Sequence, residues 1–119
     1  MMAYSSFEEL EVWQRACNLA VRIYEVLGGC REYGLKDQMT RAGVSIASNI
    51  AEGAERASKA EFIRFVHIAK GSAAELRTQV YIACRTKLLS VDLQRELVAE
   101  LISISSMLQA LIKSLKRKT

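Results

Sequence analysis

Leu93, Leu97, Leu101, Ile104, Leu108, Leu111 and Leu115 recur at steps of three or four residues. That period belongs to a helix, because side chains three and four apart share one face. Sustained for three heptads, it requires a long apolar stripe to be covered by other helices. Val98, Ile102 and Ile112 widen the stripe, and Ser90 stands where an N-cap would open a helix running to about Leu115. Proline is absent from all 119 residues, so no ring removes a backbone donor and breaks a long helix.

Three further segments carry the same period. Ser6-Phe7-Glu8-Glu9 has the form of a capping box and predicts a first helix from about Glu8 to Leu27. Trp13, Cys17, Ala20, Tyr24 and Leu27 make one apolar stripe on it, and Val12, Ala16, Leu19, Ile23 and Val26 a second. Gly28-Gly29 ends it, a loop to Tyr33 follows, and Gly34 introduces a second helix over about Leu35 to Glu52, closed by Gly53. Ser58-Lys59-Ala60-Glu61 is another capping box and opens a third helix to about Thr86, with Phe62, Phe65, Ala69, Ser72, Leu76, Val80 and Ala83 inward. Four amphipathic helices with short connections predict an all-α fold, an antiparallel up-down-up-down four-helix bundle in one domain over residues 1–119. The apolar faces of the first and fourth helices are wider than a bundle interior requires, so burial against a second copy is expected.

Charge and cysteine usage narrow the setting. A formal net charge of +4 mildly favours an anionic partner. Met1-Met2-Ala3-Tyr4-Ser5-Ser6 lacks the basic start and apolar run of a signal peptide. The uncharged stretch from Leu101 to Ile112 is shorter than the roughly 20 residues of a membrane span. A cytoplasmic protein with no membrane partner is expected. Cys17, Cys30 and Cys84 form no C-x-x-C pair, which argues for reduced thiols, Cys17 and Cys84 in the core and Cys30 in an exposed loop.

The residues offer little to catalysis. A di-metal carboxylate site in a helical bundle needs Glu-x-x-His pairs, whereas His67 is the single histidine and Arg64 stands three before it. No Gly-rich phosphate loop is present, and no cysteine lies within a helical turn of His67. No metal, no cofactor and no catalytic residue are expected, and His67 reads as a partly exposed helix residue.

Gln38, Arg41, Ser45, Asn49 and Glu52 fall three or four apart on one stripe of the second helix, beside Gly43 and Ala47. Such a stripe either binds a ligand or nucleic acid, or forms a hydrogen-bonded network between helices or subunits. The second reading has Arg41 pairing with Glu75 or Glu52, because satisfied polar groups at an interface fix register. Gly71-Ser72-Ala73-Ala74 in the third helix is expected to face the small residues of the second. Candidate nucleic-acid contacts are Arg15, Arg22, Arg64 and Arg77 on outward arcs, with Lys116, Arg117 and Lys118 in the basic tail. Gln38, Arg41, Ser45, Asn49, Glu52, Ser72 and Glu75 are candidates for a structural or assembly role.

A set of positions carries a family resemblance: Phe7, Leu10, Val12-Trp13 and Ala16, then Gln38, Arg41-Ala42, Ser45-Ile46 and Asn49-Ile50-Ala51-Glu52-Gly53. Ser58, Glu61-Phe62, Phe65, Ile68-Ala69, Gly71-Ser72 and Glu75-Leu76 continue it. The chain resembles the four-helix bundle proteins encoded within intervening sequences of bacterial 23S rRNA genes, over about Phe7 to Leu115. The resemblance implies a ring-shaped homopentamer without recognised catalytic residues. The related accessory proteins of diversity-generating retroelements imply a basic barrel that binds nucleic acid and a reverse transcriptase. This chain departs from them in being only mildly basic. The expectation is therefore a non-enzymatic homopentameric scaffold associated with RNA or DNA. The alternative is a protein–protein interaction module without nucleic-acid binding.

Overall fold

The computed structural model describes residues 6–117. Among them are a 3-10 turn at Phe7–Glu9 and four helices: α1 (Glu11–Val26), α2 (Tyr33–Ala54), α3 (Lys59–Arg85) and α4 (Val91–Arg117). There is no strand among the described residues.

Each helix packs on its neighbour in the chain, and α1 closes the ring against α4. The diagonal pairs α1/α3 and α2/α4 make no backbone approach among the described residues. Cross-helix contacts run in opposite senses. Ser45 meets Ser72 while Gly53 meets Phe65, and Arg15 meets Glu100 while Arg22 meets Glu96. This is the expected antiparallel up-down-up-down bundle, 48 Å long and 20 Å across. α2 and α3 share the most extensive interface, and α1 and α4 the sparsest.

The apolar period fills the middle. Leu19, Ile23, Ile46, Ile50, Leu76, Val80, Leu101, Ile104 and Leu108 are among the side chains of one continuous buried cluster. Of the two α1 stripes, Val12, Ala16, Leu19 and Ile23 enter this core. Trp13, Cys17 and Ala20 are only partly covered, and Tyr24 is exposed. Cys17 and Cys84 are half-buried instead of core residues, Cys30 is half-buried as well, and all three are free thiols. Burial raises the Cys17 thiol above its ordinary pKa. α4 is long and apolar enough by composition to cross a membrane. Here Leu97, Leu101, Ile104, Leu108 and Ile112 are spent on the bundle core.

Two caps form as expected: Ser58 Oγ accepts from the Glu61 N–H at 3.1 Å and Ser90 Oγ from the Leu93 N–H at 3.1 Å. The start of α1 differs. Ser6 Oγ accepts from the Glu8 N–H at 3.0 Å, which tightens Phe7–Glu9 into a 3-10 turn. Leu10 is then extended (φ −75°, ψ 123°), so α1 begins at Glu11, three residues later than the capping-box reading.

Candidate nucleic-acid and assembly surfaces

The polar stripe of α2 does not act as one unit. Its middle turns toward α3: Ser45 Oγ and Ser72 Oγ are 2.9 Å apart, and Asn49 Nδ2 donates to the Ser45 carbonyl at 2.8 Å and to Ser45 Oγ at 2.9 Å. All three side chains are half-buried. This cluster ties α2 to α3 and uses both N–H donors of Asn49.

The outer members of the stripe stand apart from it. Arg41 is 79% exposed and pairs with Asp37, one turn earlier on its own helix, at 3.0 Å. The expected pairing with Glu75 or Glu52 is absent because Arg41 points to solvent, beyond the α2/α3 seam. Glu52 pairs with Arg56 at 2.7 Å. Gln38 is exposed, and Glu75 is exposed on α3, where Gln79 Nε2 approaches it at 3.5 Å.

Of the small-residue stretch in α3, Ser72 faces α2 as expected and Ala73 is buried, but the two ends of the stretch do not face α2. Gly71 points to open space, Ala74 is exposed, and a Cβ on Gly43 would meet its neighbours at ordinary distance, 3.6 Å from the Ala20 Cα. The close approach lies at Gly53. A Cβ there would come within 2.6 Å of the Phe65 Cβ and 3.3 Å of the Phe62 carbonyl. Gly53 therefore sits inside α2 as a packing residue, not as its terminator. Just beyond it, the guanidinium groups of Arg56 and Arg64 lie 4.8 and 4.6 Å from the Phe65 ring centroid.

Three of the candidate nucleic-acid arginines are already paired. Arg15 donates through Nε and Nη2 to both oxygens of Glu100, at 3.0 and 2.6 Å. Arg22 holds both oxygens of Glu96 at 2.7 and 3.0 Å. Arg64 holds both oxygens of Glu61 at 3.1 Å. Such two-pronged bonds stabilise the charged forms. The Glu100 bond raises Arg15, and the Glu96 bond raises Arg22. The Arg22 and Arg64 bonds hold Glu96 and Glu61 below the ordinary carboxylate range. The Arg15 and Arg22 pairs bridge the sparse α1/α4 seam over a groove that also takes in Asn18, Ala99 and Ser103. Arg77, Lys116 and Arg117 are exposed without an ion pair among the described residues. Lys118 lies outside the described residues.

Sequence reasoning passed over two features. Gln79 is 6% exposed, and its Oε1 is the buried side-chain oxygen left without a hydrogen bond among the described residues. Its signal was its place in the row Ser72, Glu75, Gln79, which faces α2. The other is an apolar groove of about 470 Å³ between α1 and α2, lined by Trp13, Cys17, Val21, Val44, Ala47 and Ala51. Val21 and Val44 are 58% and 43% exposed at its rim. The Phe7 ring meets Trp13 edge-on at 5.3 Å at one end. No group of three or more His, Cys, Asp or Glu side chains gathers as a metal site among the described residues.

The sequence profile of the 23S rRNA-intervening sequence proteins matches residues 8–110, nearly the whole bundle. The chain belongs to that family. A crystal structure of a protein of unknown function in the S23 ribosomal protein family, from Bacteroides thetaiotaomicron VPI-5482, superposes with a TM-score of 0.81. The two are 28% identical, and the match covers 86% of this chain and 98% of that one. Among curated proteins no sequence matches. The intervening-sequence family thus spans the Ser45–Asn49–Ser72 cluster, the Gly53 contact and both α1/α4 ion pairs.

Proposed function

We propose that this intervening-sequence protein is a non-enzymatic scaffold that assembles as a homopentamer and associates with RNA. The observation that carries the reading is the apolar α1/α2 groove, with Val21 and Val44 exposed at its rim. A soluble monomer gains nothing from leaving such a strip wet, whereas a second copy would bury it. Assembly also concentrates charge: five copies of +4 give +20. The internal pairing of Arg15, Arg22 and Arg64 favours the second reading, a protein-interaction module whose cations are spent on its own carboxylates.

Light scattering on the full chain tests the assembly. The expected mass is five times 13.3 kDa. Val21→Glu, at the groove rim, should shift the mass toward a single chain. A wild-type mass of 13.3 kDa at micromolar concentration overturns the scaffold reading. Nuclease treatment before purification separates the two functional readings. Loss of co-purifying RNA with retained mass supports the first. A protein that carries no RNA and binds none at low salt supports the second.

A further inference from the structure

The carboxylates of α3 and α4 are sorted by side. α3 carries Glu61 and Glu75 alone, and both lie on the row that contains Ser72 and Gln79 and faces α2. α4 carries Asp92, Glu96 and Glu100, four residues apart in a single row. Glu96 and Glu100 of that row are bound to α1 through Arg22 and Arg15. The face that α3 and α4 present together is therefore poor in carboxylates among the described residues: the exposed Asp92, three residues before Arg95, stands at its edge.

That face does carry cations. Lys70 Nζ donates to Gln109 Oε1 at 2.6 Å across the α3/α4 seam and fixes the register of the two helices. In that register Arg77 and Arg85 follow Lys70 along α3, at intervals of seven and eight residues. On α4, Arg95 lies beside Arg85, and Lys113 and Lys116 lie beyond Gln109 toward the other end. Arg77, Arg85, Arg95, Lys113 and Lys116 are exposed and have no carboxylate bound to them among the described residues. At 1.5 Å of rise per residue the α3 cations stand about 10–12 Å apart, while on α4 Arg95 and the Lys113/Lys116 pair mark the two ends of a span of roughly 30 Å. Tyr81, 38% exposed, stands between Arg77 and Arg85, and the exposed His67 faces the Lys113 end.

We infer that the α3/α4 face is a binding track for single-stranded RNA, a deepening that rests on the RNA association proposed above. Spaced cations along a line, with none neutralised, suit a linear polyanion better than a point anion. An aromatic ring set among them offers a stacking platform for a base, which a membrane headgroup or an acidic peptide would leave unused. Arg15, Arg22 and Arg64 act in the bundle and take no part in the track.

The test is fluorescence anisotropy with a labelled single-stranded RNA of mixed sequence, titrated with the full chain across a salt series. The triple variant Arg77→Ala, Arg85→Ala, Arg95→Ala should bind at least about tenfold more weakly, and its log–log salt slope should fall by about 2, as expected for three lost phosphate contacts on a single strand. Tyr81→Leu should weaken binding about fivefold or more with the salt slope unchanged. Arg15→Gln with Arg22→Gln should leave both affinity and slope as in wild type. Light scattering on each variant should return the wild-type mass. If wild type binds no RNA at low salt, the functional reading falls and the track with it. If wild type binds but the triple variant binds equally well, or if the triple variant changes the assembly state instead, the track alone falls. Preferential binding to phosphatidylserine vesicles, lost in the triple variant, overturns the RNA assignment in favour of a lipid surface.

Discussion

The α2/α3 seam and the α1/α4 seam solve the same problem, holding two antiparallel helices together, by opposite means. α2 and α3 approach closely and lock with short side chains: Ser45 on Ser72, Asn49 on Ser45, and Gly53 beneath Phe65. α1 and α4 approach least, and two long arginines reach across to Glu100 and Glu96. Short groups in a half-buried seam lose little side-chain entropy and are shielded from water. Long ion pairs at a groove lose more entropy and are screened. The first seam sets the register of the bundle, and the second tolerates change.

The sharpest break of this contrast is Gly53→Ala. The new methyl would need to sit 2.6 Å from the Phe65 Cβ, a fixed atom near the backbone, so the helices must move apart. Overpacking of this kind costs about 1–3 kcal/mol, less up to about 1 kcal/mol regained from helix propensity. A net loss of about 1–2 kcal/mol, and a lower denaturant midpoint, is expected by urea unfolding. An unchanged midpoint would show that the α2/α3 seam is not close-packed here.

Next in size is Asn49→Leu. It removes both bonds to Ser45 while leaving the half-buried serine pair, so a loss of about 1 kcal/mol is expected. Arg41→Leu, on the same stripe but pointing to solvent beside Asp37, should change the midpoint negligibly. Equal effects from the two would restore the stripe to a single unit.

That stripe shows where sequence reading stops. Its five polar residues are visible as a row, but which of them meet another helix depends on the rotation of α2 against α3. The helices themselves were legible because apolar period and caps act locally, as at Ser58 and Ser90. The start of α1 was not, because Ser6 engages Glu8, and Gln14 Nε2 reaches back to the Glu8 carbonyl at 2.8 Å. Gly53 read as a helix terminator because its packing partner lies in another helix. The partners of Arg15 and Arg22 were hidden for the same reason, since Glu100 and Glu96 lie 85 and 74 residues away. The one-sided placement of carboxylates on α3 and α4 was present in the spacing, but it gains meaning only once the neighbours of each helix are known.

Of smaller effect, and opposite sign, is Gly71→Ala. Nothing lies within 4 Å of the Cβ it would add, and the residue is exposed inside α3. The gain is about 0.5–1 kcal/mol from helix propensity, read as a raised urea midpoint. Set against Gly53→Ala, it separates a glycine kept for helix contact from one that is not. A loss at Gly71 would mean that a second copy or a partner covers this part of α3.

The smallest measurable effect belongs to the α1/α4 seam and is read through pH. The Arg22 hydrogen bond holds Glu96 below its ordinary value of 4.5, so the unfolded chain takes up this proton at a higher pH than the folded one. Stability from the pair is therefore fully present above about pH 4.5 and falls as pH drops through that value toward the lower folded pKa. Arg22 itself, raised further above its already high ordinary value by the Glu96 hydrogen bond, does not titrate in this window. Thermal unfolding of wild type and Glu96→Gln should differ by about 1 °C near neutral pH, and the difference should shrink as pH falls below about 4.5 and in 1 M salt. The Gly53→Ala deficit, which involves no charge, should persist through both changes. A Glu96→Gln deficit as large as that of Gly53→Ala and indifferent to pH and salt would mean that the α1/α4 bridge is buried in the assembly, and the two seams would no longer be opposites.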